Sequence, residues 1–270
     1  MKTAAVVVGR DDNYGENLHH RARLCLNNLA KQFDKIFYVD WKTLDKTLTD
    51  SAAIQNPKIS TISVSLEYIQ TKYPQYVNYP IVENIARNIG IRSAVDENYD
   101  WVLSTNIDCI IDDINFNNLS RDTLYTARRR NVPESYHLNN KITLELLKTN
   151  KDQFSVAPLS VVDGKAVWDK GDIWSLVVCC GDFQLAHSSL WSSIRGFEEA
   201  AAGRAYGDSN LMKRPIMIGK TTNILDIDLF HLDHSNKAFR LPNEFLPLND
   251  MQAYVENFQK SMNTKNWGLL

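Results

Sequence analysis

Cysteine is scarce: Cys25, Cys109, Cys179 and Cys180 are the only four in 270 residues. None stands in a CxxC pair, so spacing offers no dithiol or zinc motif, and their scatter suggests reduced, buried thiols. No apolar run approaches the ~20 residues that a membrane-crossing helix needs, so no transmembrane segment is expected. An excess of either charge is missing too. Thirty Lys and Arg stand against 32 Asp and Glu, for a formal net charge of −2. That balance gives no whole-chain footprint for nucleic acid or an anionic membrane. The run Arg128-Arg129-Arg130 reads as a solvated loop. Met1-Lys2-Thr3 leads straight into an apolar strand with no signal-peptide core, so a cytoplasmic setting is expected. Repeats, low-complexity tracts and linkers are also lacking. The first loop, GRDDNYG, is neither a Walker loop nor GxGxxG.

What is present suits one large core. The chain is 44% hydrophobic and 23% charged, ordinary for a globular protein of this length. One α/β domain over residues 1–270 is expected. Ala4 to Val8 is a continuous apolar run, as a strand covered on both faces should be. Asn17 is placed to cap a helix through about Gln32, with Leu24, Leu26, Leu29 and Ala30 inward. Lys35 to Val39 and Ile59 to Val64 read as further strands. Pro80 suits a first helical turn. Behind it Ile81, Ile85 and Ile89 form one helical face, and Asn84, Arg87, Asn88 and Arg92 the opposite one. Trp101 to Thr105 is a short core strand, and Asn106-Ile107-Asp108 lies at its carboxyl end. In open α/β sheets that edge is where ligands bind.

ARNIGIRSA followed by WVLSTNID resembles the middle of a glycosyltransferase of the GT-A fold. The resemblance implies a Rossmann-like α/β fold with a mixed, mostly parallel central sheet flanked by helices. The resemblance covers about Ala4 to His234 and implies a nucleotide-binding part over about residues 1–112 and an acceptor and catalytic part over about 113–240; beyond it a tail helix over about 245–270 is expected from the residues themselves. Asn106 stands where the family's first Asp is commonest, which puts metal binding mainly on Asp108. The implied donor contacts are Val8, Gly9, Arg10, Asp40, Asn84, Arg87, Asn88, Asn106, Ile107 and Gly181. Asp40 would receive the donor's base or ribose; otherwise it is a solvent-facing turn residue.

The resemblance continues in GDFQL at 181–185, Trp191, the RGFEE run at 195–199 and Asp208-Ser209, similar to bacterial and viral transferases of that fold. It puts Asp182 and Gly181 at a strand end near donor sugar and acceptor, Glu198 at the family's acidic position, and Asp208 where inverting members place the catalytic carboxylate. Gly207 replaces a Glu there, so the base is open among Asp208, Asp182 and Glu198. Plain alternatives stand beside each: Asp182 and Asp208 as helix caps, Glu198 as a surface charge. Ile224 to His234 alternates apolar and polar, as a late strand with one wet face. In the family a late His is often a further metal ligand, which singles out His231 and His234. Ile173 to Val178 is strand-like, residues 150–171 read as either a mobile loop over the site or an exposed polar excursion, Met251 to Met262 looks helical, and Asn266-Trp267-Gly268 could fold back as a lid.

The implied activity is transfer of a sugar, with inversion, from a nucleotide-sugar, a UDP-sugar first, to a glycan or other hydroxyl acceptor. Mn²⁺ or Mg²⁺ would steady the leaving diphosphate and a carboxylate would take the acceptor's proton. Two other classes stay open: a non-catalytic nucleotide- or glycan-binding protein, and a sugar nucleotidyltransferase.

Overall fold

The computed structural model describes residues 1–42, 46–157, 160–162, 165–167, 181–199, 207–235 and 262–269. Strands β1 (Thr3–Gly9), β2 (Lys35–Trp41), β3 (Ile59–Val64), β4 (Trp101–Asn106), β5 (Cys109–Ile111), β6 (Thr123–Val132), β7 (Ser155–Val156), β8 (Ser160–Val162), β9 (Lys165–Val167), β10 (Phe183–His187) and β11 (Thr221–Leu232) are interspersed with helices. These are α1 (Leu18–Gln32), α2 (Leu48–Ser51), α3 (Leu66–Lys72), α4 (Glu83–Asp96), α5 (Glu134–Asn139), α6 (Leu144–Thr149), α7 (Ser188–Ile194) and α8 (Gly207–Met217). The main sheet runs β3-β2-β1-β4-β10-β6-β11-β5, with β7 on β6. β3, β2, β1 and β4 are parallel. β10 is reversed between β4 and β6, β11 is parallel to β6, and β5 turns back along β11. β8 and β9 form a separate hairpin. The α/β class expected from the sequence is what is found.

All seven residues of β1 are buried, because helices cover both faces of the sheet. Ala5 and Val7 pack with Leu18, Cys25 and Leu29 of α1. Ala4 and Val6 face Ile91 and Ala94 of α4, with Trp191 of α7. Gly90 lets α4 lie this close: a Cβ there would stand 2.4 Å from Val6 Cγ1. Cys25 and Cys109 are free and buried, as expected. Among the described residues no helix is long and apolar enough to cross a membrane.

Several local expectations change. α4 begins at Glu83, so Pro80 precedes the helix. Its polar face is buried, with Asn84 7%, Arg87 2% and Asn88 0% exposed, because a second layer covers it. Asn88 clamps Phe197, accepting from its N–H at 2.7 Å and donating to its carbonyl at 2.9 Å, while Asn84 donates to the Glu198 carbonyl at 3.2 Å. The arginine run lies inside β6, not in a loop, because β6 keeps pairing with β11 as far as Val132 after a register shift between Leu225 and Asp228. Asp182 leads into strand β10, not a helix, and the N-cap of α7 is His187, which accepts from Ser189 N–H. Asn17 takes the cap position of α1 in a left-handed conformation with no side-chain cap bond. Residues 262–269 do fold back, but onto α4: Trp267 is 3% exposed, and Gly268 N–H donates to Glu199 Oε1 at 2.8 Å. The strand expected at Ile173–Val178, Cys179, Cys180 and residues 251–261 of the helix expected at Met251–Met262 lie outside the described residues, and residues 262–269 of the expected tail helix form bends and turns, not helix.

Candidate active site

Sheet topology gathers the acidic and histidine residues. β5 pairs with β11 so that Cys109 lies opposite His231. Asp108, one residue earlier, therefore falls beside the end of β11, and its carbonyl accepts from Leu232 N–H at 2.8 Å. The chain then turns and brings His234 back. His234 Nε2 stands 3.3 Å and His231 Nε2 3.7 Å from Asp108 Oδ2. One ligand atom from each residue lies within 4.8 Å of the others. Ligands about 2.1 Å from a shared ion stand about 3–3.5 Å apart, so this set fits a divalent cation after a small contraction. The donor chemistry fits too: a mixed imidazole and carboxylate set suits Mn²⁺ better than Ca²⁺.

The outer partners orient these groups. His231 Nδ1 meets Asp233 Oδ1 at 3.1 Å, and His234 Nδ1 meets the Ser235 carbonyl at 3.1 Å. In each ring the second nitrogen is left facing Asp108, the arrangement typical of ligating histidines. Burial of Asp108 favours its neutral acid, but His231, His234 and Arg21 outweigh that and hold the carboxyl well below the usual range. Burial works against a charged His231, yet Asp108 and Asp233 raise its pKa. The carboxylate is thus ionised and ready for a cation.

The same edge opens into a cavity of about 750 Å³, lined by residues that include Val8, Gly9, Arg10, Arg87, Asn106, Ile107, Asp108, Asp182, His231 and His234. Most of the expected donor contacts and all three expected metal ligands share this space. Asp40, Asn84, Asn88, Gly181, Glu198 and Asp208 are not among the lining residues. Asp40 is neither in the cavity wall nor solvent-facing. It is 1% exposed, and its Oδ1 accepts from the Tyr38 hydroxyl at 3.0 Å and Leu48 N–H at 3.2 Å.

The cavity floor is a hydrogen-bond chain. Arg87 donates to Ser104 Oγ at 2.8 Å and to Asn106 Oδ1. Asn106 Nδ2 donates to Asp182 Oδ1 at 2.5 Å, and Arg129 Nη1 donates to Asp182 Oδ2 at 2.9 Å. Asn106 must accept from a guanidinium and donate to a carboxylate at once, which an ionised Asp cannot do. This accounts for the amide at the position where an Asp is commonest in the resembling family. Asn106→Asp would set two carboxylates against each other, and a loss of about 1–3 kcal/mol is expected in urea unfolding at neutral pH. That deficit should shrink as pH falls and the new carboxyl pair takes up a shared proton.

Asp208, in the first turn of α8, packs against the Gly181 backbone: a Cβ on Gly181 would stand 2.1 Å from Asp208 Oδ1. Burial pushes its carboxyl up to about 6; Arg87 opposes this, and Glu83 and Asp182 add to it. Glu198 is also raised by burial and accepts from Asn210 Nδ2 at 3.2 Å.

Two wall residues, Glu83 and Arg129, and the buried Arg21 carry weight that the sequence reading did not give them, and Tyr14 of the first loop gains a defined contact. Glu83 lines the cavity beside Arg87, 3.6 Å away. Arg129 braces Asp182. Tyr14 meets the edge of His234 with ring centroids 4.9 Å apart. Arg21 lies wholly buried beneath the loop before α1. The available signal for Arg21 was a charge at helical spacing from Leu18 and Cys25, inside the apolar stripe.

No family model matches the sequence, and no curated protein sequence matches it. Among solved structures, the fold is similar to a crystal structure of GalNAc-T7 with UDP, GalNAc and Mn²⁺, at a TM-score of 0.56 and 8% identity. The match covers 87% of this chain and 44% of that one, so this chain spans less than half of its neighbour's length. At such identity the likeness is one of fold. The fold is of GT-A type, a mixed and mostly parallel sheet with flanking helices.

Proposed function

We propose that this chain is a metal-dependent glycosyltransferase that moves a sugar from a nucleoside-diphosphate sugar, a UDP-sugar first, to a hydroxyl of a glycan or other acceptor. The observation that carries this reading is the convergence of Asp108, His231 and His234 at the carboxyl edge of the parallel strands, on the wall of the cavity. The neighbouring fold, crystallised with UDP, GalNAc and Mn²⁺, supports it.

Asp108, His231 and His234 would hold the divalent ion, which when bound supplies positive charge to the diphosphate oxygens of the leaving group. Arg87, fixed by Ser104 and Asn106, presents a guanidinium at the same wall. Fixed charges of this kind need no reorganisation as the leaving group gains charge. The acceptor hydroxyl must lose its proton. Asp182 is poorly suited to take it, because Asn106 and Arg129 occupy both of its oxygens. Asp208 stands behind Gly181 and off the cavity wall, and its carboxyl, raised to about 6, has the proton affinity suited to a base near neutral pH. We assign it that role, with inversion at the anomeric carbon. Residues 1–270 then act as one catalytic unit.

The test is slow hydrolysis of UDP-sugars by the full chain, with water standing in for the acceptor. Release of UDP that requires Mn²⁺ and stops with a chelator is expected. Saturable UDP-sugar binding without any turnover would turn the reading to a binding protein.

A further inference from the structure

The turn before α1 holds a backbone that L-residues avoid. Asn13, Gly15, Glu16 and Asn17 have φ of 53°, 66°, 63° and 50°. Such a run persists only where its surroundings over-determine it. Here the constraint is Arg21, 0% exposed. Its guanidinium donates to the carbonyls of Tyr14 at 2.5 Å, Gly15 at 3.3 Å and Glu16. A rigid fork of charged donors suits three successive carbonyls in a way no other side chain does.

The held turn is a wall for His234. A Cβ on Gly15 would stand 2.3 Å from His234 Nδ1, so the imidazole lies directly against the backbone. The Gly15 carbonyl accepts from Ser235 N–H at 3.2 Å, and the Tyr14 ring meets the imidazole edge. Ser235 in turn accepts at His234 Nδ1, which leaves Nε2 toward Asp108. We infer that Arg21 is a positioning residue for the metal centre: by fixing the left-handed turn Asn13–Asn17 it fixes the place and ring orientation of His234. This rests on the metal site proposed above.

Positioning and plain electrostatics give opposite signs. Arg21 is a positive charge coupled to Asp108, so its removal alone would strengthen cation binding. Loss of positioning weakens it. The experiment is Mn²⁺ titration of the full chain, read from the EPR signal of free Mn²⁺, with circular dichroism to verify the fold. Arg21→Gln is expected to weaken Mn²⁺ binding by about 10–100-fold, the scale of an orienting residue's loss. In a His234→Ala background the weakening is expected to disappear, because the two act through one another and only the charge effect remains. Should Arg21→Gln not fold, Gly15→Ala takes its place in the cycle, since its methyl would push His234 without touching a buried charge. Tighter or unchanged binding, or an equal drop in both backgrounds, overturns the inference and leaves the metal site standing. Wild-type protein that binds no Mn²⁺ overturns both.

Discussion

Asp108→Asn is expected to reduce Mn²⁺ affinity by about 10²-fold or more and to abolish metal-dependent turnover, with the fold retained. The substitution keeps size and removes the charge on which the site depends. An amide oxygen beside two imidazoles is a weak donor set for a divalent ion. The fold should survive, because the Asp108 contact that continues the sheet is made by its backbone carbonyl to Leu232 N–H. His231→Ala and His234→Ala are expected to act in the same direction but unequally. His231 sits in β11, paired with Cys109, so truncation deletes one ligand from a rigid strand. His234 lies beyond the strand and depends on the turn at Asn13–Asn17. Titration of Mn²⁺ into each variant measures this directly. Wild-type affinity in Asp108→Asn would remove Asp108 from the site.

Asp208→Asn is expected to lower the rate of transfer by about 10²–10⁴-fold, the range typical of general-base catalysis, with nucleotide-sugar affinity near wild type. The base makes its main contribution in the transition state. The pH dependence follows from the raised carboxyl. In the wild type kcat is expected to fall as pH drops through about 6, where Asp208 takes up a proton; in the variant that limb should vanish. Stability should move the other way. A carboxyl whose pKa is higher in the folded than in the unfolded chain favours the fold below about pH 4 and loses that contribution as pH rises through about 6. Asp208→Asn should therefore melt on the order of 5–10 °C above wild type at pH 8 and close to it at pH 4. A normal rate with an unchanged pH profile would pass the role to Glu83, which lines the cavity. A large loss of nucleotide-sugar affinity would place Asp208 in the donor pocket instead.

These contrasts show what was legible in the chain. The apolar run Ala4 to Val8 reads as a strand covered on both sides, and Asn106 to Asp108 as the ligand edge at the carboxyl end of the next strand. The metal-ligand expectation was tied to Asp108, His231 and His234, residues that pairing of β5 with β11 brings together. What stayed hidden depends on layers. Asn84 and Asn88 look like a wet helical face because sequence periodicity cannot see the segment 197–199 that covers them. The arginine run looks like a loop because β6 carries charge where it crosses the cavity: Arg129 answers Asp182 and Arg130 answers Asp228 at 2.6 Å. Asp40 resembles an edge carboxylate until α2 is seen to begin against it. Arg21 needed the left-handed turn, which no residue pattern announces.

The most direct measurement of the central claim is calorimetric titration of UDP into the full chain with Mn²⁺ and with a chelator. Metal and nucleotide that share one site must strengthen each other's binding by the same factor. At least tenfold tighter UDP binding with Mn²⁺ is expected in the wild type, and no gain in Asp108→Asn. Equal UDP affinity with and without the metal would contradict a metal on Asp108, His231 and His234 that holds the diphosphate.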